Sequence, residues 1–312
     1  MVLKKLPKKV LQRLTTAKSK HIIESFAKNI KCERWRYREM GEKNDFKLVI
    51  IGGGEDKKEG MVILKEVVRL AGGNEAKIGI VTTATKLPEE VGMEYEKLFK
   101  NLGAKEIHSI NICGRKKSEI HGNLEKIMEY TCLFFVGGDQ LRISSIIGGT
   151  DFHELIHSFC ASGRVIAGTS AGASMMSEIM IVEGEDQMAP TKCTIKLAPG
   201  MGLIKGVIID QHFNQRGRIG RLFAGVAQNP NIIGIGIDED TAIVVDGDES
   251  FSVIGNGVVT VVDGRDIEYT NITEQHPDEP LALTDVRVHI LPEHYGYNLV
   301  DKTAILINNS SK

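Results

Sequence analysis

The chain has 312 residues, 42% hydrophobic and 26% charged, with a formal net charge of −2. That is the composition of an ordinary soluble globular protein, with enough apolar material for one large core or two modest ones and no overall charge calling for a nucleic-acid partner. No apolar run approaches the roughly 18 residues of a membrane span, and the amino terminus lacks the apolar core and cleavage site of a secretory leader. The five cysteines, Cys32, Cys113, Cys132, Cys160 and Cys193, are scattered, odd in number and form no C-x-x-C pair. A disulfide framework and a zinc knuckle are therefore disfavoured, and a reducing cytoplasm is the expected location.

Charge is unevenly spread. Residues 1–44 hold 13 Lys/Arg against 4 Glu, whereas 45–312 hold 26 against 37, so a basic arm of +9 precedes a body of −11. Leu3, Leu6, Val10, Leu11 and Leu14 fall at helical spacing among the lysines, as in a basic helix for an anionic surface. A solvated extension on an acidic body is the favoured reading, with Trp35 and Tyr37 pinning its end. The expected division is a basic extension over 1–44 and a single body over 45–312.

From residue 46 short apolar runs alternate with longer amphipathic ones. Phe46–Ile51, Ile78–Val81, Ile107–Ile112, Leu133–Val136 and Val165–Gly168 read as buried strands, with helices near 57–72, 88–103, 116–130 and 151–162 between them. Such a βαβ series predicts an α/β protein with a largely parallel sheet flanked by helices, its ligand crevice lying beyond the strand carboxyl ends. After about residue 240, Ala242–Val245, Phe251–Ile254 and Val258–Val262 are separated by Asp-Gly and Asn-Gly pairs and predict antiparallel hairpins.

Several chemically informative stretches sit at strand ends. Gly52-Gly-Gly54 invites a dinucleotide-binding reading, but G-x-G-x-x-G would need glycine where Lys57 stands, and that reading is set aside. Gly168-Thr-Ser170-Ala-Gly172 has the form of a nucleophile elbow, in which glycines allow a strained turn between strand and helix and the amide of Ala171 points at a developing oxyanion. His153-Glu154-Leu-Ile-His157 spells H-E-x-x-H, with Glu178 as a conceivable third zinc ligand. That ligand would come from beyond the Gly168–Gly172 turn, and no third histidine follows. The favoured reading is an amphipathic helix without metal.

A serine nucleophile needs a base, and the base an orienting acid. His212 is the best placed histidine, because Val207–His212 reads as a strand whose end would lie beside the elbow in the parallel sheet. Asp210, Asp238, Glu239 and Asp240 all remain open as the acid. Arg216, Arg218 and Arg221 follow at spacings that would put at least two on one helical face, suited to clamping a carboxylate.

Taken in order, Gly137-Gly-Asp-Gln140, Gly168–Ala173, Asp210–Arg221 and Gly236–Ala242 resemble the cyanophycinase family over nearly all of 45–312. The resemblance implies a catalytic serine peptidase domain with a flavodoxin-like fold akin to class I glutamine amidotransferases. It implies Ser170 as nucleophile, His212 as base and Glu239 as acid, without metal or other cofactor. It further implies an oxyanion hole from Ala171 and either Gly138 or Asp139, and a substrate pocket with Gln140, Asp210, Gln211, Arg216, Arg218 and Arg221. The implied substrate is cyanophycin, a poly-aspartate with arginine on each β-carboxyl, cut to β-Asp-Arg dipeptides. Small β-aspartyl peptides, as for an aspartyl dipeptidase, are the alternative. Members of the family are often dimers, so a homodimer is one assembly to expect.

Overall fold

A computed structural model describes residues 46–116, 127–184, 189–192, 195–247, 250–277 and 279–307. The basic arm and most of the helix expected over 116–130 lie outside the described residues.

Five strands form the parallel part of the main sheet: β1 (Lys47–Ile51), β2 (Lys77–Val81), β3 (Glu106–Ile110), β4 (Cys132–Phe135) and β5 (Val165–Thr169). Their order is β3-β2-β4-β5-β1. Strands β4 and β5 are buried along their whole length and β1 and β2 at all but the first residue, as apolar runs covered on both faces require. Helices α1 (Val62–Leu70), α2 (Pro88–Asn101), α3 (Gln140–Ile147) and α4 (Asp151–Ala161) lie between strands. Helix α2 begins with proline at its first turn and Glu89 and Glu90 against its positive end. It sends Tyr95 and Phe99 onto Phe134 of β4, with ring centroids 4.8 and 5.1 Å away.

Beyond β1 the sheet turns antiparallel through β10 (Thr241–Asp246), β11 (Ser250–Gly255), β14 (Tyr295–Asn298) and β15 (Thr303–Leu306). A second sheet has the order β13-β12-β9-β8, from Arg287–Leu291, Val259–Asp263, Ile233–Ile237 and Val207–Gln211. Strands β6 (Ile179–Gly184) and β7 (Ile195–Pro199) pair with each other, and helices α5 (Ala171–Ser174) and α6 (Ile219–Gln228) complete the named elements.

Two expectations about strand placement are corrected. Strand β8 does not join the main sheet; it pairs in parallel with β9 in the second one. Strand β12 does not extend the β10–β11 hairpin. After β11 the chain folds back on the start of β10, Asn256 N–H donating to Asp240 O at 2.9 Å and Gly257 N–H to Thr241 Oγ1 at 2.8 Å, and crosses into the second sheet between β9 and β13. All five β12 residues are buried, which an interior strand permits and a hairpin with one solvated face would not.

Candidate active site

The elbow forms where β5 meets the single turn of α5. Ser170 sits at φ 53°, ψ −111°, a left-handed backbone that a residue with a side chain adopts only under constraint. The constraint is packing. A Cβ at Gly168 would lie 2.4 Å from Gly172 O, and one at Gly172 would lie 2.3 Å from Phe135 O, so neither position accepts a larger residue. Ser170 N–H is tied to Ile51 O of β1 at 3.1 Å.

His212 follows the last residue of β8 and reaches the elbow from the second sheet. Its N–H donates to Gly52 O at 2.8 Å, which anchors it on the loop after β1. Its ring, 13% exposed, spans two partners: Nε2 is 3.0 Å from Ser170 Oγ and Nδ1 is 2.6 Å from Glu239 Oε1. A carboxylate at Nδ1 holds the proton there and leaves Nε2 as an acceptor facing the hydroxyl. Burial pushes the imidazole below its ordinary 6.5, and the Arg216 and Arg218 cations act in the same direction against the opposing pull of Glu239. A neutral imidazole at neutral pH is the protonation state a general base needs.

The other three acids have separate employment. Asp238 accepts from Asn214 N–H (3.1 Å), Asn214 Nδ2 (2.9 Å) and Val258 N–H (3.2 Å), bracing the turn after His212. Asp240 accepts from Asp56 N–H at 2.8 Å and Asn256 Nδ2 at 2.6 Å. Asp210, 1% exposed, is gripped by Arg221 through both oxygens, Nε to Oδ2 being 2.5 Å, with Arg218 Nη1 3.5 Å away. Glu239 alone among the four lies on the imidazole.

Ala171 opens α5, so its amide has no carbonyl one turn back within the helix. The second oxyanion donor was expected from Gly138 or Asp139. Asp139 is corrected: its N–H donates to Ala84 O at 3.0 Å, and its carboxylate caps α3 by accepting from Leu141 N–H and Arg142 N–H. Gly138 is left as the candidate.

Among the expected pocket residues, Asp210 and Arg221 face one another instead of offering their charges to a ligand. Arg218 is also inward, 6% exposed, donating to Gln211 O at 2.6 Å and Gln211 Oε1 at 3.1 Å. Gln140 Nε2 donates to Ile181 O at 2.8 Å. Arg216 is exposed and lies in the turn before α6, its N–H on His212 O at 3.1 Å. At least two of the three arginines were expected on one helical face; α6 starts only at Ile219, so Arg221 lies within it, Arg218 is its N-cap, and both turn toward Asp210.

The HELIH segment lies on α4, whose Phe152, Leu155, Ile156 and Phe159 are buried. His153 and His157 Nε2 are 3.1 Å apart and converge on Met201 O at 3.1 and 2.7 Å. Gly149 N–H donates to His153 Nδ1 at 3.0 Å, so in the neutral ring the proton sits on Nε2, the atom a metal would need. Glu178 lies 3.9 Å from Lys205 Nζ. Among the described residues no group of three or more His, Cys, Asp or Glu is placed to hold a metal ion.

The loop after β1 fails as a dinucleotide motif, yet it touches both His212 and Glu239. A Cβ at Gly53 would lie 2.3 Å from the His212 ring, and one at Gly54 would lie 2.9 Å from Glu239 Oε2. Gly53 O accepts from Asp240 N–H at 2.9 Å. Three consecutive glycines at a strand's carboxyl end were the available signal for such close approach.

Residues 48–253 match the Peptidase family S51. The cyanophycinase of Geminocystis herdmanii is 39% identical over 252 residues, covering 80% of this chain and 93% of that protein. The cyanophycinase of Synechococcus elongatus is 37% identical over 253 residues, covering 81% and 79%. In fold the chain is similar to the crystal structure of a peptidase from an acI-B1 Actinobacterium, with a TM-score of 0.55 and 21% identity over 79% of this chain and 99% of that one.

Proposed function

Since this chain belongs to peptidase family S51 and is a peptidase, we propose that it is a serine peptidase that hydrolyses the poly-aspartate backbone of cyanophycin to β-Asp-Arg dipeptides. The observation that carries the mechanism is the continuous contact Ser170 Oγ, His212 Nε2, His212 Nδ1, Glu239. Ser170 attacks the scissile carbonyl as His212 takes its proton; His212 then protonates the leaving amine, and an acyl-serine remains for water to cleave by the reverse sequence. Glu239 fixes the tautomer and stabilises the imidazolium. The Ala171 and Gly138 amides receive the oxyanion, each worth ~3 kcal/mol in typical acyl transfer. Arg216 is the side chain best exposed to meet a substrate carboxylate, and Gln140 and Gln211 shape the polar wall. The scattered cysteines favour a reducing cytoplasm, and a homodimer is the assembly proposed.

The test is incubation of purified protein with insoluble cyanophycin and, separately, with small β-aspartyl peptides, with chromatography for β-Asp-Arg. Dipeptide release from the polymer supports the proposal. Turnover of the small peptides alone would make the chain an aspartyl dipeptidase.

A further inference from the structure

The carboxylate of Glu55 takes no part in the mechanism above, yet it is 5% exposed and lies within the loop that seats the site. Its Oε2 accepts from Thr169 Oγ1 at 2.7 Å, and its Oε1 accepts from the Tyr95 hydroxyl of α2. Burying a carboxylate is costly unless its lone pairs are satisfied, and apolar side chains fill space at less expense. What two buried hydroxyl bonds supply is direction. Burial and the neighbouring Glu55 charge push the Tyr95 hydroxyl well above its ordinary value, so it stays a donor.

Thr169 is the residue before the nucleophile, and the loop that carries Glu55 is already bonded to the rest of the site. Ile51 O holds Ser170 N–H, Gly52 O holds His212 N–H, and Gly53 O holds Asp240 N–H beside Glu239. We infer that Glu55 is a positioning residue: through Thr169 it locks the loop seating His212 and Glu239 to the strand that presents Ser170. The inference rests on the Ser170–His212–Glu239 reading. A misplacement of about 1 Å can cost on the order of 100-fold in rate, so a loosening of roughly half that, on a log scale about tenfold, is the effect expected here.

The experiment measures covalent labelling of Ser170 by an alkyl fluorophosphonate, alongside kcat and KM on cyanophycin, at a temperature well below each variant's Tm. Glu55→Gln and Thr169→Val are each expected to slow labelling about tenfold. The double variant should be no slower than the slower single one. In all three, kcat should fall in parallel while KM stays within about twofold. Thr169→Ser, which keeps the hydroxyl, should restore most of the rate lost in Thr169→Val.

A lowered Tm with wild-type labelling would reduce Glu55 to a packing residue, and losses that multiply in the double variant would show that it does not act through Thr169. Should Glu55→Gln fail to fold, the Thr169 pair decides alone, and equal rates for the serine and valine variants overturn the inference. If instead the wild type is not labelled, or Ser170→Ala is labelled equally, the serine mechanism itself has failed.

Discussion

Two regions of this molecule bring histidine to a polar partner, and they differ in what the second ring nitrogen meets. At the elbow His212 has a carboxylate on one nitrogen and a hydroxyl on the other, so a proton can enter at Nε2 while its charge is balanced at Nδ1. On α4 the two rings turn the same nitrogen toward one carbonyl, Met201 O, whose own residue donates its N–H to Met175 O just past the elbow helix. That pair ties α4 to the segment that follows the elbow helix. The HELIH string carries more apparent chemistry in one dimension than D-Q-H does, and the ranking reverses once partners are counted in space.

Replacing Ser170 with alanine is the harshest way to sharpen the contrast. Ser170→Ala should lower kcat on the order of 10⁶-fold with the Tm nearly unchanged, since one oxygen is removed. Glu239→Gln comes next, with kcat down on the order of 10⁴-fold and KM little altered, because an amide permits the wrong tautomer and cannot balance an imidazolium. Steady-state kinetics on both variants, with thermal melts, check these expectations. If Glu239→Gln stays near wild type, the acid has been misassigned.

Asp210→Asn should act on a different quantity. Removing the charge from one side of the buried Asp210–Arg221 ion pair should cost about 3–5 kcal/mol in stability, readable from denaturant unfolding. A variant that folds normally but binds arginine-bearing substrate weakly would instead return Asp210 to the pocket.

On α4, His157→Ala should cost about 1–2 kcal/mol of stability and leave kcat within a few-fold. A chelator should leave activity intact; loss of a stoichiometric metal together with activity would break the comparison outright. Burial pushes the His157 imidazole below 6.5, so the unfolded chain binds its proton more readily. Its contribution is therefore whole above about pH 6.5 and declines as pH falls through the window below that value, a dependence His157→Ala should flatten.

The subtlest readout is the pH profile. Burial, with the Arg216 cation acting in the same direction, holds the His212 pKa below its ordinary 6.5, so the acid limb of kcat/KM should lie below 6.5, and Arg216→Gln should move that limb upward. A downward shift would mean that the guanidinium does not face the imidazole.

What was legible in the sequence was what local chemistry dictates. Apolar runs as short as Leu133-Phe-Phe-Val136 read as interior strands, and glycine on both sides of Ser170 signals a turn without room for side chains. The pairing partners of β8 and β12 were not legible, since Val207-Ile-Ile and Val259-Thr-Val-Val are apolar enough for either sheet. Strands β13 and β15 escaped because each is a short edge strand with mostly exposed residues, so no buried apolar run marks it. In the site, Ser170 and His212 could be picked from residue type. That Asp210 would spend its charge on Arg221, or Asp139 its amide on Ala84, depends on contacts across separate segments.

The position of β1 carries a consequence in time. It is flanked by β5 on one side and by β10 on the other, with Lys47 opposite Asp246. Glu239 and the start of β10 therefore reach the loop after β1 only when most of the domain has been synthesised, and long-range pairings of this kind close late. A nascent chain already carrying Ser170 and His212 would still lack Glu239 and the strand that braces it, so the three side chains can meet only after β10 has been made.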